Sequence, residues 1–238
     1  MATKTSHYAL ENPLSLIIDK PVASFTRADI LKVVEAKGIE RITFHYLAID
    51  GKLKEMTVPV SDRYQVDAVL AEGERVDGSS LFKGMVDMAL SDLYIVPQYR
   101  SAFFNPFDEG SLDFVCRYLA QDGKPAPFTP DSILARAAAM FQKSNGIELN
   151  AMGELEFFLL TTPADRSYPV EHGRGYHGSA PFTKSGPILH EMVGHIARVT
   201  GAVKYAHSEN GFIDSVRSDV AEIEGRLAEQ LEIEFLPR

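Results

Sequence analysis

Residues 152–160 read Met-Gly-Glu-Leu-Glu-Phe-Phe-Leu-Leu, and this run leaves the chain few ways to fold. Aromatic and aliphatic side chains dominate it and no breaker follows Gly153, so it reads as a β-strand. Residues two apart in a strand share a face, which sets the carboxylates of Glu154 and Glu156 side by side, about 6–7 Å apart. Leu155, Phe157 and Leu159 then point to the other face, toward a core. Acids held that close repel unless cations lie beside them. A pair of metal ions, about 3.5–4 Å apart, would fit such a platform. The plainer alternative is a solvent-facing strand edge, where charged residues ordinarily lie.

The remaining composition narrows the classes. A chain of 238 residues with 45% hydrophobic and 24% charged residues can bury a sizeable core, as one large domain or two smaller ones. Its formal charge of −9 argues against a nucleic-acid partner, which would require a basic surface. Cys116 is the one cysteine, so no intramolecular disulfide can form, and its strand-like surroundings suggest a buried, inert thiol. No signal-peptide pattern opens the chain and no apolar run approaches membrane-spanning length. We expect a cytoplasmic protein with no membrane partner.

Along the chain, residues 1–24 lack periodicity and are expected to form an N-terminal tail. Thr26-Arg27-Ala28-Asp29 resembles a capping box, and the helix it opens stops at Gly38. Arg41–Ile49 and Leu53–Val60 read as strands joined at Asp50-Gly51. A short helix over Asp62–Leu70 follows, then apolar runs at Leu93–Val96, Ala102–Phe104 and Leu112–Leu119. Helices mixed with hairpin-linked strands predict an α+β unit over 25–122. Residues 121–130, rich in Gly and Pro, form a linker. Thr129-Pro130-Asp131 starts a helix with Ile133, Ala137 and Phe141 as its buried stripe. The acidic strand comes next, then a long irregular loop over 161–186, a helix over Pro187–Thr200, and strands at Ala202–His207 and Leu231–Leu236. The end at Leu236-Pro237-Arg238, just after a strand, is expected to be a truncation of a longer design.

Two patterns resemble known motifs but lack their spacing. His190 and His195 stand five apart, whereas paired zinc-protease histidines stand four apart on one helix face. The glycine-rich run 173–178 lacks the strand-before, helix-after setting of a phosphate loop, and reads as an adaptable loop.

Three further segments carry acids. His207-Ser208-Glu209-Asn210-Gly211 places a carboxylate at a strand end beside a glycine turn. Gln230-Leu231-Glu232-Ile233-Glu234 repeats the alternating pattern, with Glu232 and Glu234 on one face. Val76-Asp77-Gly78-Ser79-Ser80 is a polar turn. Carboxylates from separate strands suit a hard cation such as Mg²⁺ or Mn²⁺.

In order and rough spacing these segments resemble the first half of a glutamine synthetase, especially bacterial forms. The resemblance rests on Val-Asp-Gly-Ser-Ser-Leu-Phe (76–82), Ser-Asp-Leu-Tyr-Ile-Val-Pro (91–97), Asn-Pro-Phe (105–107), Met-Gly-Glu-Leu-Glu-Phe-Phe-Leu (152–159), Lys-Tyr-Ala-His-Ser-Glu (204–209) and Glu-Gln-Leu-Glu-Ile-Glu-Phe-Leu-Pro (229–237). It implies a β-grasp-like N-terminal domain followed, over 123–238, by the incomplete first part of an ATP-grasp-like, guanido-kinase-type ligase domain on a curved antiparallel sheet. It also implies a reaction, in which ATP phosphorylates the side-chain carboxylate of L-glutamate and ammonia displaces the phosphate to give glutamine, with Mg²⁺ or Mn²⁺ assisting.

The resemblance assigns Glu156, Glu209 and Glu232 to the metal nearest glutamate and Glu154 to the nucleotide-side metal. It assigns Asp77, with Ser80 close by, to an ammonium pocket that a neighbouring subunit contributes, where Asp77 would favour NH₄⁺ and then accept its proton. Asp92 matches a second acid of the N-terminal domain and equally suits a structural salt bridge. His207 stands on the substrate side. Homo-oligomers with shared active sites are implied. The family's later half, with the remaining metal and phosphate ligands, does not follow Arg238, so the chain by itself is expected to be inactive. Two alternatives remain: a ligase joining glutamate to polyamines or other amines, or a non-catalytic truncated paralogue that binds metal or joins intact subunits.

Overall fold

A computed structural model describes residues 8–86, 91–162, 167–168, 171 and 173–237. The chain divides into two compact units, residues 1–149 and 150–238. No helix among the described residues is long and apolar enough to cross a membrane.

In the first unit, β1 (Arg41–Leu47), β2 (Leu53–Pro59), β3 (Glu74–Asp77), β4 (Asp92–Pro97), β5 (Phe103–Phe104) and β6 (Ser111–Ala120) form one mixed sheet. Its order is β2-β1-β6-β4-β3, with β5 on β6. β1 and β6 run parallel and the other pairs antiparallel. The hairpin expected at Asp50-Gly51 joins β1 to β2, with Gly51 at φ 75°, where an L-residue is disfavoured. α2 (Arg27–Lys37) starts as predicted: Thr26 Oγ1 accepts from Asp29 N–H, the Asp29 carboxylate accepts from Thr26 N–H, and Gly38 closes the helix. Ile30, Leu31, Val33 and Val34 are its buried residues. They share one core with Phe44, Leu112, Phe114 and Tyr118 from the sheet, and with α3 (Arg63–Glu72) through Val66, Val69 and Leu70. Edge-to-face ring pairs, Phe44–Phe114 at 6.2 Å and Phe82–Tyr118 at 5.2 Å, add specificity to that burial. Cys116 is buried, and burial pushes its thiol far up from the usual range, as an inert cysteine requires.

Three expectations for this unit are corrected. Residues 13–18 are not a loose tail: α1 (Pro13–Ile18) begins where Asn12 caps Leu14 N–H, and Leu14 is fully buried in the common core. One buried leucine and one cap in so short a segment produce no periodicity to read. The polar turn at 76–80 is the end of β3 running into α4 (Gly78–Leu81), with Asp77 as its N-cap. α5 (Pro130–Asn145) forms as expected, but Ile133 and Ala137 are exposed and Phe141 is half-buried, so the anticipated stripe has no cover among the described residues.

The second unit is a three-stranded antiparallel sheet, β7 (Glu154–Thr161), β8 (Val203–Ile213) and β9 (Leu227–Phe235), in the order β7-β9-β8. α6 (Gly186–Thr200) covers one face. Its Leu189, Met192, Val193 and Ile196 recur at helical spacing and meet Phe157, Leu159, Leu231, Ile233, Val203 and Ala206. Glu229, buried on that same face, accepts hydrogen bonds from Lys184 N–H at 2.7 Å and from the Ser185 hydroxyl, which anchors the start of α6 to β9. Leu155 departs from expectation: it is 40% exposed at the end of an edge strand. β8 and β9 are longer than their apolar runs suggested, because polar residues in their middles occupy the uncovered face. Part of the loop expected over 161–186, at 163–166, 169–170 and 172, lies outside the described residues.

Candidate metal centre

Strand alternation puts the even-numbered residues of β9 on the face away from α6. Pairing then builds rows across it. Glu156 of β7, Glu232 of β9 and His207 of β8 form one row, and Glu154, Glu234 and Tyr205 form the next. β8 has irregular registers between Val203 and Tyr205 and between Ser208 and Phe212. Glu209, two residues beyond His207, shares the acid face and lies diagonal to Glu232.

Carboxylate oxygens of Glu156, Glu209 and Glu232 lie within 4.8 Å of one another. A second set, His207, Glu232 and Glu234, meets the same limit and shares Glu232. Glu232 is only 8% exposed. Burial, and then the charges of Glu154, Glu209 and Glu156 against the opposing effect of His207, raise its pKa above the usual 4.5, and no hydrogen bond from the described residues relieves it. Glu234 differs. The Tyr205 hydroxyl and Lys204 Nζ, the latter at 3.0 Å, both donate to it and lower its pKa. Lys204 also stands 4.6 Å from the Tyr205 ring centroid. Glu234 thus has Lys204 as its ion-pair partner, whereas among the described residues the positive group acting on Glu232 is His207.

A hard cation such as Mg²⁺ takes oxygen ligands, and three carboxylates from adjacent strands, with oxygens within 4.8 Å of one another, would supply them. A hard cation also answers the uncompensated charge on Glu232, so the residues present fit such an ion.

The other predicted residues fall as follows. Glu154 is exposed, opposite Glu234, and belongs to neither set. His207 Nδ1 stands 3.6 Å from Glu209 Oε1. Its ring also lies 4.2 Å, between centroids, from that of His177, beside Tyr176. Those two neighbours come from the glycine-rich loop. His177 N–H donates to Ser208 O at 2.9 Å, the Ser208 hydroxyl donates to Gly175 O at 2.7 Å, and a Cβ on Gly175 would collide with the Glu209 carbonyl. Glycine is there for close approach to β8, a role the sequence spacing alone did not signal.

In the first unit, Asp77 accepts from Ser79 N–H at 2.9 Å, from the Ser79 hydroxyl at 2.7 Å and from the Ser80 hydroxyl at 2.7 Å. These bonds, Ser80's first, lower its pKa to about 2. These hydrogen bonds favour the ionised form of Asp77, which attracts a cation. Asp77 lines a cavity of about 300 Å³ with Arg75, Val76, Ser79, Ser91 and Asp92. Asp92 accepts from Arg75 at 2.9 Å, the salt bridge that is one of its two expected roles.

A β-grasp unit and an acid-faced antiparallel sheet within one chain define a glutamine-synthetase-type fold. Residues 38–121 match the family described as glutamine synthetase, beta-Grasp domain. The glutamine synthetase of Staphylococcus epidermidis is 29% identical over 166 residues, covering 68% of this chain and 36% of its own length. That of Staphylococcus aureus is 28% identical over the same shares. The chain therefore spans about a third of the length of the curated relatives it matches. Among solved structures, the cryo-EM glutamine synthetase of Plasmodium falciparum superposes with a TM-score of 0.61 at 16% identity, covering 90% of this chain and 44% of that one. Apo GmaS without ligand gives 0.62 at 14%, covering 88% and 45%. The chain is thus similar to glutamine synthetases in sequence and in fold, and residues 38–121 match their β-grasp domain.

Proposed function

We propose that this chain supplies the β-grasp domain and the first carboxylate set of an ATP-dependent glutamate–ammonia ligase. The observation that carries this reading is the approach of Glu156, Glu209 and Glu232, from three adjacent strands, to within 4.8 Å, with Glu232 buried and unrelieved. In this reading the three hold one Mg²⁺ or Mn²⁺, and Glu154 contributes to a second, nucleotide-side ion. Such an ion, when bound, neutralises charge on the carboxylate being activated and on the transferring phosphoryl group. His207, held between Glu209 and the rings of Tyr176 and His177, faces L-glutamate. Asp77, with Ser80, stays ionised and concentrates ammonium by charge, acting toward a neighbouring subunit of a homo-oligomer. Asp77 would then accept the ammonium proton, so that ammonia becomes the nucleophile.

Mn²⁺ titration of the 238-residue chain, followed by electron paramagnetic resonance, tests the site. Saturable binding that weakens in Glu156→Gln, Glu209→Gln and Glu232→Gln is expected. Binding that is absent, or indifferent to all three, overturns the reading. For the acceptor, ADP release with glutamate and ATP by the protein from its natural source is expected to depend on ammonium and not on polyamines.

A further inference from the structure

Gln230 makes two contacts on the acid face at once. Its amide NH₂ donates to Glu156 Oε1 in a short hydrogen bond. Its side-chain carbonyl accepts from Gly211 N–H at 2.7 Å. A carboxylate can only accept and a backbone N–H can only donate, so the two partners together allow one amide orientation. Gly211 lies in the irregular stretch of β8, where a Cβ would fall 2.6 Å from the Phe158 ring and onto the Gln230 oxygen. Glycine lets the β8 backbone come in far enough to hold the amide from behind.

Glu156 has reason to swing away. It is an exposed side chain on an edge strand, with Glu232 directly across the ladder and Glu209 beside it. Repulsion and rotamer freedom both favour turning it into solvent. We propose that Gln230 is a positioning residue, holding the Glu156 carboxylate toward Glu209 and Glu232 before a cation arrives; this rests on reading those three as a divalent-cation site. A neutral amide suits the task. A lysine in its place would cancel the charge that the ion needs, as Lys204 does at Glu234.

Mn²⁺ titration of the full 238-residue chain by electron paramagnetic resonance is the experiment. Gln230→Met, which removes both contacts at similar volume, is expected to weaken Mn²⁺ binding about 10–100-fold, with little change in the metal-free melting temperature. The same substitution in a Glu156→Gln background is expected to change affinity by roughly twofold or less, because the partner it acts through is already altered. Unchanged affinity in Gln230→Met, or an effect of full size in the Glu156→Gln background, overturns the proposal. Should Gln230→Met fail to fold, Gln230→Asn replaces it: its amide is one methylene too short to bridge both partners, so it must weaken binding in the same direction, and unaltered binding refutes the role. A parent chain that binds no Mn²⁺ fails at the cation site itself, before any variant is compared.

Discussion

Glu156 and Glu232 stand directly opposite each other in the β7–β9 ladder, two like charges where a sheet ordinarily pairs opposites or apolar groups. The Gln230 amide relieves the first, and none of the described residues donates to the second. Without metal, this arrangement costs stability, and the sheet keeps it.

That cost is measurable. Glu232→Gln is expected to raise the metal-free stability of the second unit by on the order of 0.2–1 kcal/mol, the usual scale of a cross-strand charge pair, while weakening Mn²⁺ binding. Thermal melts with and without Mn²⁺ check both signs. Because the folded pKa of Glu232 lies above 4.5, its ionisation penalty is absent at low pH and grows as pH rises through the folded value. The stabilising effect of the substitution should therefore shrink in acid.

Leu14→Ala tests whether the N-terminal segment belongs to the core. A fully buried leucine replaced by alanine should cost about 2–5 kcal/mol. Urea denaturation should show a lower midpoint; a change below ~0.5 kcal/mol would be the surface-substitution result and would put α1 outside the folded unit.

The Asp29 capping box gives an acid-side signature. Hydrogen bonds from Thr26, then Lys20, lower its pKa from 3.8 to about 2. A depressed carboxylate stabilises the fold above its unfolded pKa and loses that contribution as pH falls through the folded value. Asp29→Ala should cost about 1 kcal/mol near neutrality, and the gap between variant and parent should close between pH 3.8 and about 2. Melting curves across that range decide it.

Gly175→Ala should push the loop carrying Tyr176 and His177 off β8, because the new methyl meets the Glu209 carbonyl. A loss of about 1–3 kcal/mol, the scale of an overpacked site, is expected. His207 ring resonances in NMR spectra should also shift as their stacked neighbours leave.

Local rules reached much of this molecule. Thr26 and Asp29, Gly38, Asp50-Gly51 and the alternation through 154–160 each report on their own neighbourhood, so the α2 ends, the first hairpin and β7 could be read directly. The exposed apolar side of α5 could not, because periodicity says which residues share a face and not what lies against it.

The candidate site divides the same way. Alternation in the sequence set Glu154 with Glu156 and Glu232 with Glu234, and the family resemblance singled out Glu154, Glu156, Glu209 and Glu232. Only the tertiary structure decided that Glu232 is buried, that Glu234 is claimed by Lys204 and Tyr205, and that Gln230 of β9, bonded by Gly211 of β8, donates to Glu156. The physical reason is register. Which residues face each other across β7, β9 and β8 depends on hydrogen-bonded ladders and their irregularities between segments far apart in the chain, and no local pattern encodes that offset.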